Sequence, residues 1–156
     1  MKRVKNNVGF VPGLYGTRTK NGFIVSTNTQ LNNNTPAKSV FNEGGYEWST
    51  AGLQENAWIQ IQLPFKVSIY KFTIGGKMIN SNLERWYDWT FEGSTDGNVW
   101  IILKSATGEY LDSTIKTYTL TSPSEPFLYY RFYGVHGEAT NPGLSHLQIY
   151  TVDDLV

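Results

Sequence analysis

Residues able to do chemistry are scattered along this sequence. Ser145 and His146 are neighbours in "GLSHLQIY", where strand geometry would send adjacent side chains to opposite faces, and the chain has no Gly-x-Ser-x-Gly elbow. A nucleophile and its base are therefore not aligned. Asp88 and Glu92 share one extended segment, which would set them about 13 Å apart, whereas a glycosidic carboxylate pair needs roughly 5–10 Å. The run "FEGSTDGNVW" concentrates an acid, glycines and small polar residues. It precedes a strand-like run instead of a helix, which excludes a phosphate loop, and it offers one Asp where a calcium loop needs alternating oxygen ligands. Asp96-Gly97 between two strand-like runs reads as a tight hairpin. The richest polar and aromatic mixture is "NSNLERWYDW", which sets Asn80, Asn82, Glu84 and Arg85 beside Trp86 and Tyr87. The stretch "HGEATN" adds His136, Glu138 and Asn141.

Composition narrows the classes. At 156 residues the chain is long enough for one domain with its own core. It has no cysteine, so disulfides, thiolate metal sites and thiol nucleophiles are out. Formal net charge is zero, against a protein that gains affinity by neutralising nucleic-acid phosphates, and "MKRVK" reads as a solvated terminus. Pro12 and Gly13 interrupt the apolar part of the N-terminus before signal-peptide length, and no run nears the ~18 apolar residues of a membrane span.

The elements that must position these residues are strands. Five Trp, ten Tyr and eight Phe sit among Thr, Ser, Asn and Gly, with no sustained helical period. In "AWIQIQL" Ala57, Ile59, Ile61 and Leu63 share one face and Trp58, Gln60 and Gln62 the other. "VSIYKFTIG" changes phase, as a bulge near Tyr70 would require. "WTFEGS", "VWIILK", "KTYTLT", "FLYYRFYGV" and "HLQIYTV" behave alike, so an all-β sandwich of roughly eight antiparallel strands in two sheets is expected. Residues 28–35, 47–56, 77–88 and 136–145 do not alternate and are expected as loops. Residues 1–23 are expected as an N-terminal extension and 24–156 as the domain proper.

The order of four stretches resembles the discoidin family, also called the coagulation factor V/VIII C-type domain, with its carbohydrate-binding-module relatives. They are "PAKSVFNEGGYEWST", "AWIQIQLPFKVSIYKFTIGG", "WTFEGSTDGNVWIIL" and "YYRFYGVHGEATNPGLSHLQIY". The resemblance spans Ile24 to Tyr150 and implies a jelly-roll sandwich whose end loops bind ligand. Many members hold a structural calcium on two carboxylates; Asn42 and His146 stand at those places here, leaving Glu43 and backbone oxygens. The expectation is no cofactor, with calcium disfavoured. The missing cysteine pair points to a microbial or viral origin, and the opening region and the "WSTAG…WIQIQLP" run are similar to discoidin modules appended to phage tail proteins.

A pyranose presents a C–H face and a rim of hydroxyls, which an aromatic plate beside planar donors and acceptors satisfies. The expected ligand site is Asn82, Arg85, Trp86, Tyr87, His136 and Asn141, for a non-catalytic module recognising a cell-surface glycan. Trp86 and Tyr87 have a second reading, as packing over the sandwich end, and His136 as a plain surface histidine. Trp48, Trp58, Trp89 and Trp100 are assigned to packing, and Arg131 to a structural ion pair. The expected setting is a virion surface, on a phage tail or fibre, or otherwise an extracellular or cell-surface part of a larger protein. Met78, Ile79, Leu83 and Trp86 are the apolar tips available to a membrane, but their polar neighbours argue against insertion. The alternative is a structural or decoration module acting through protein–protein contacts with other virion proteins.

Overall fold

The computed structural model describes residues 2–5, 9–13, 19–30, 40–41, 47–52, 55–77, 84–138 and 141–155. Asn42, Glu43 and Asn82, and the apolar tips Met78, Ile79 and Leu83, lie outside them. Among the described residues eleven strands follow in order: β1 (Lys2–Lys5), β2 (Thr19–Lys20), β3 (Phe23–Thr27), β4 (Trp48–Ser49), β5 (Glu55–Val67), β6 (Ile69–Gly76), β7 (Trp86–Ser94), β8 (Ile101–Ala106), β9 (Lys116–Thr119), β10 (Phe127–Gly137) and β11 (Gly143–Leu155). No α-helix occurs among the described residues.

The strands form two antiparallel sheets. One has five strands in the order β1-β11-β6-β9 with β4 beside β11; the other has six in the order β2-β3-β5-β10-β7-β8. This is the expected all-β sandwich, and short β1, β2 and β4 account for the excess over roughly eight strands. Alternation explains the interior directly. Ala57, Ile59, Ile61 and Leu63 are all buried, and Phe72 of one sheet stacks on Phe91 of the other at 4.0 Å between ring centroids. Between Lys71 and Ile69 the pairing with β11 skips Tyr70, which is the bulge that the phase change in "VSIYKFTIG" requires.

Four expectations need correction. Residues before 24 are not a separate extension: β1 pairs with β11, Val11 is buried in the core, and position 24 falls inside β3. The backbone of Phe10 also bonds Ile149, so the edge of β11 recruits this segment. The expected loops are shorter, since β7 starts at Trp86, β10 runs to Gly137, β11 starts at Gly143 and β4 lies within 47–56. Trp48 and Trp89 are core residues as expected, but Trp58 and Trp100 are only partly covered. The β7–β8 connection is longer than a tight two-residue hairpin, because the strands end at Ser94 and resume at Ile101.

That connection is still architectural. Asp96 Oδ1 accepts hydrogen bonds from the backbone N–H of Asn98 and Val99 at 2.8 and 2.9 Å, and Ser94 Oγ accepts from Gly97 N–H at 2.8 Å. Gly97 has φ of 78°, and a Cβ there would lie 3.2 Å from the Tyr129 ring. Replacing Gly97 by Val is expected to cost roughly 1–3 kcal/mol through left-handed backbone strain. Denaturant unfolding of the variant checks this; unchanged stability would show that the turn tolerates a side chain.

Candidate functional site

At one end of the sandwich the start of β7, the end of β10 and the segment between β8 and β9 meet. Backbone hydrogen bonds lock them: Glu109 N–H to Tyr87 C=O at 2.8 Å, Leu111 N–H to Trp86 C=O at 2.9 Å, and Glu138 N–H to Arg85 C=O at 2.9 Å. The pairing of β7 with β10 is irregular here. It runs Trp89↔Gly134, Asp88↔His136, Trp86↔Gly137, so Val135 and Tyr87 are skipped in turn. These bulges break strict alternation, and Trp86 and Trp89 both turn inward although three residues apart.

Trp86 is fully buried. Its indole lies against Phe132 at 5.8 Å between centroids and over Gly134 and Gly137, where added Cβ atoms would fall 2.5 and 2.9 Å from the ring. Of its two sequence readings, packing is what the structure has, so Trp86 is not a ligand plate. Its Nε1, with the buried hydroxyls of Ser49 and Thr50, finds no hydrogen-bond partner among the described residues.

Tyr87 takes the opposite side. Its ring stacks on His136 at 6.2 Å and 17° and leans on Tyr110 at 5.5 Å, making a row of three rings. The Arg85 guanidinium lies 4.4 Å from the centre of the Tyr110 ring, and its Nε donates to Glu138 Oε1 at 2.5 Å. His136 Nδ1 lies 2.9 Å from Asp88 Oδ2, and Asp88 Oδ1 accepts the Gly108 N–H at 2.9 Å. Those contacts, Gly108 first and His136 second, hold the Asp88 carboxyl below its ordinary pKa. Half-exposed His136 and exposed Tyr110 keep ring surface open to solvent. Arg85, Tyr87 and His136 are thus brought together as expected. Tyr110 and Asp88 were missed as site residues; the signal was "SATGEYLDS", a glycine-bearing turn with an aromatic that alternation does not place inside.

Asn141 is joined to this end differently. Its Oδ1 accepts the Gly52 N–H at 3.0 Å, and its carbonyl accepts Lys77 Nζ at 3.2 Å. Lys77 is also paired with Glu84, both nearly buried, so one ammonium ties the end of β6, the start of β7 and the start of β11. Catalytic geometry is not assembled from the sequence candidates: Glu92 pairs with Arg131 at 2.7 Å, as a structural arginine requires, and His146 Nε2 lies 2.8 Å from Thr73 Oγ1.

Among the described residues the fit to a structural calcium is poor. His146, at the place of one family carboxylate, turns an imidazole nitrogen to Thr73, and among the described residues no three His, Asp or Glu side chains group to hold a metal. The unpartnered Ser49 and Thr50 hydroxyls are neutral oxygens only.

No protein-family model and no curated protein sequence matches the chain. Solved structures match it well. A family 32 carbohydrate-binding module from Clostridium perfringens, in complex with galactose, superposes with a TM-score of 0.70 at 15% identity, covering 83% of this chain and 93% of that one. A second C. perfringens family 32 module, in complex with GalNAc-β-1,3-galactose, gives 0.69 at 14% identity, covering 82% and 94%. A chitosan-binding module from a Paenibacillus sp. IK-5 chitosanase/glucanase, in complex with chitotriose, gives 0.69 at 15%, covering 83% and 96%. At these identities the likeness is one of fold: the chain has the discoidin-like β-sandwich of these modules.

Buried titration at this fold's flank sets a pH response. Burial pushes the His146 pKa below the ordinary 6.5, so the unfolded chain takes up a proton first as pH falls. Stability is therefore full above about pH 6.5 and declines below it. A second decline follows below 3.8, where Asp88, Asp96 and Asp112, all held low by backbone N–H groups, become protonated. Thermal midpoints measured between pH 8 and 3 should show both, and His146→Gln should flatten the first; a midpoint that rises on acidification would contradict the assignment.

Proposed function

We propose that this chain is a non-catalytic glycan-binding domain whose site is the ring row of Tyr110, Tyr87 and His136. The observation that carries the reading is the combination of partly exposed rings with planar polar groups at their edges. The rings offer faces to sugar C–H groups, while Arg85, Glu138, Asp88 and His136 offer donors and acceptors to hydroxyls. Asn141 is proposed as a further contact from the start of β11, and Asn82, outside the described residues, is kept as a proposed contact on its chemistry alone. The charged groups are already paired with one another, so the surface suits a neutral sugar better than a strongly charged one. That the solved neighbours include modules in complex with galactose and chitotriose supports this reading.

The proposed setting is a cell-surface glycan recognised from a virion, on a phage tail or fibre, or otherwise from an extracellular or cell-surface part of a larger protein. Neither nucleic acid nor membrane insertion belongs to it: formal charge is zero, and Trp86, one of the apolar tips considered for a membrane, is buried. One observation favours the alternative of a structural module in a virion assembly. Val99, Ile101 and Ile102 are 68%, 50% and 58% exposed on edge strand β8 and its approach, a surface suited to protein contact.

A glycan array on the domain should identify ligands. Tyr87→Ala is then expected to weaken binding by about tenfold or more, with the thermal midpoint nearly unchanged. By contrast Trp86→Ala should cost about 3–5 kcal/mol of stability as a core truncation. A Tyr87→Ala protein that binds normally would remove the ring row from the site.

The same reading assigns no calcium. Unfolding curves with chelator and with added calcium should coincide, since an ion bound to the native state would raise the midpoint by mass action. A calcium-dependent rise of several degrees would show that oxygens such as Glu43 and the Ser49 and Thr50 hydroxyls rebuild a site.

A further inference from the structure

The outer face of the six-stranded sheet carries an unusual set of side chains. On β5 the outward residues are Trp58, Gln60 and Gln62; on β10 they are Tyr133, Arg131 and Tyr129. The register sets them directly opposite one another, as Trp58↔Tyr133, Gln60↔Arg131 and Gln62↔Tyr129. This makes a grid of two rows, with the Trp58–Tyr133 pair at one end, Gln60 beside Arg131 in the middle and Gln62 beside Tyr129 at the other end. All of them are partly exposed.

The grid is both pre-formed and neutral. Tyr133 Oη donates to Asn56 Oδ1 at 3.1 Å, which holds that ring in place. Arg131 is pressed 3.9 Å from the Trp100 ring centre and 4.9 Å from that of Tyr133, and its charge is met by Glu92 at 2.7 Å. The amides of Gln60 and Gln62 make no side-chain hydrogen bond to any described residue. Arg131, the cation within the grid, is already paired with Glu92, so a phosphate or polyanion gains little from it, and an apolar partner would have to strand the two amides. A chain of neutral sugar rings has matching chemistry, with flat C–H faces for the rings and hydroxyls for the amides. Tyr129 and Tyr133 lie four residues apart, about 13 Å along the strand; Tyr129 backs onto the Gly97 turn and meets Trp100 edge-on, so it borders the path while Tyr133 and Trp58 supply the ring surface.

We propose that this sheet face is a second binding surface, separate from the loop-end ring row, for an extended neutral β-linked polysaccharide laid along β10. Two surfaces on one module would let it hold a polymer at its length and at a terminal sugar, with the gain that linked sites bring. The inference does not rest on the loop-end reading, since it uses none of the same residues.

The test is a titration of the labelled full chain with cellohexaose and with N-acetylchitohexaose, following the indole N–H resonance of Trp58 by NMR. At least one oligosaccharide should move that resonance at millimolar concentration or below. Tyr133→Ala should weaken the effect about tenfold and Gln60→Ala about threefold or more, while Tyr87→Ala leaves it unchanged. Gln60→Ala carries the test if Tyr133→Ala fails to fold, because Gln60 packs nothing in the core. Two results overturn the proposal: no movement of the Trp58 resonance with either sugar, or movement abolished by Tyr87→Ala and retained in Gln60→Ala. Failure here leaves the loop-end reading intact, since that is read separately from Tyr87-dependent binding on the array.

Discussion

The candidate binding end depends on one contact, the Trp86 indole lying on the bare backbone of Gly134 and Gly137. A Cβ at either glycine would strike the ring, so the pair must stay glycine for the indole to lie on the β10 backbone. Seating the indole there brings with it the two skipped residues of the β7–β10 ladder. Those irregularities, in turn, aim Tyr87 outward beside His136 while Trp86 and Trp89 both fill the core. The site is therefore shaped by a buried packing event one residue away. A regular ladder would have alternated these side chains and dispersed the ring row.

Around this contact, polar pairs substitute for apolar cover at a loop-rich end. Lys77 and Glu84 are almost completely buried, and removing two charges from water is costly unless they are well paired and bonded. Here the pair is also bonded to the Asn141 carbonyl, so it joins three chain segments at once. Arg85–Glu138 and His136–Asp88 repeat the device nearer the surface, where solvent screens them and their worth is chiefly in orientation. The outcome is an end whose charged groups hold one another and whose rings remain available. That arrangement favours hydrogen-bonding recognition over charge attraction.

Structural likeness at 13–20% identity to carbohydrate-binding modules fits this division of labour. What the matched chains share is the sandwich, which needs only the right inward pattern, whereas recognition resides in side chains that the fold leaves free to vary. The outward surface of the six-stranded sheet illustrates the point. Alternation requires only that Trp58, Gln60, Tyr133 and Arg131 not face the core, and leaves their identity open to other uses.

The sandwich was legible because a period of two is a local property: Ala57, Ile59, Ile61 and Leu63 declare their face without reference to any other strand, and the phase slip at Tyr70 declares its bulge. That Arg131 is paired was equally readable, since an arginine among strand aromatics must find an acid, but that the acid is Glu92, opposite it on β7, came from the register. By itself, then, the sequence determined the all-β class, most of the inward faces and the neighbourhood of Arg85, Tyr87 and His136. What only the tertiary structure decided is which of Trp86 and Tyr87 is buried, that Tyr110 completes the row, that residues 2–5 join β11, and that Trp58 and Trp100 lie outside. Each of these depends on register between strands distant in sequence, and on bulges in that register, which no local periodicity encodes.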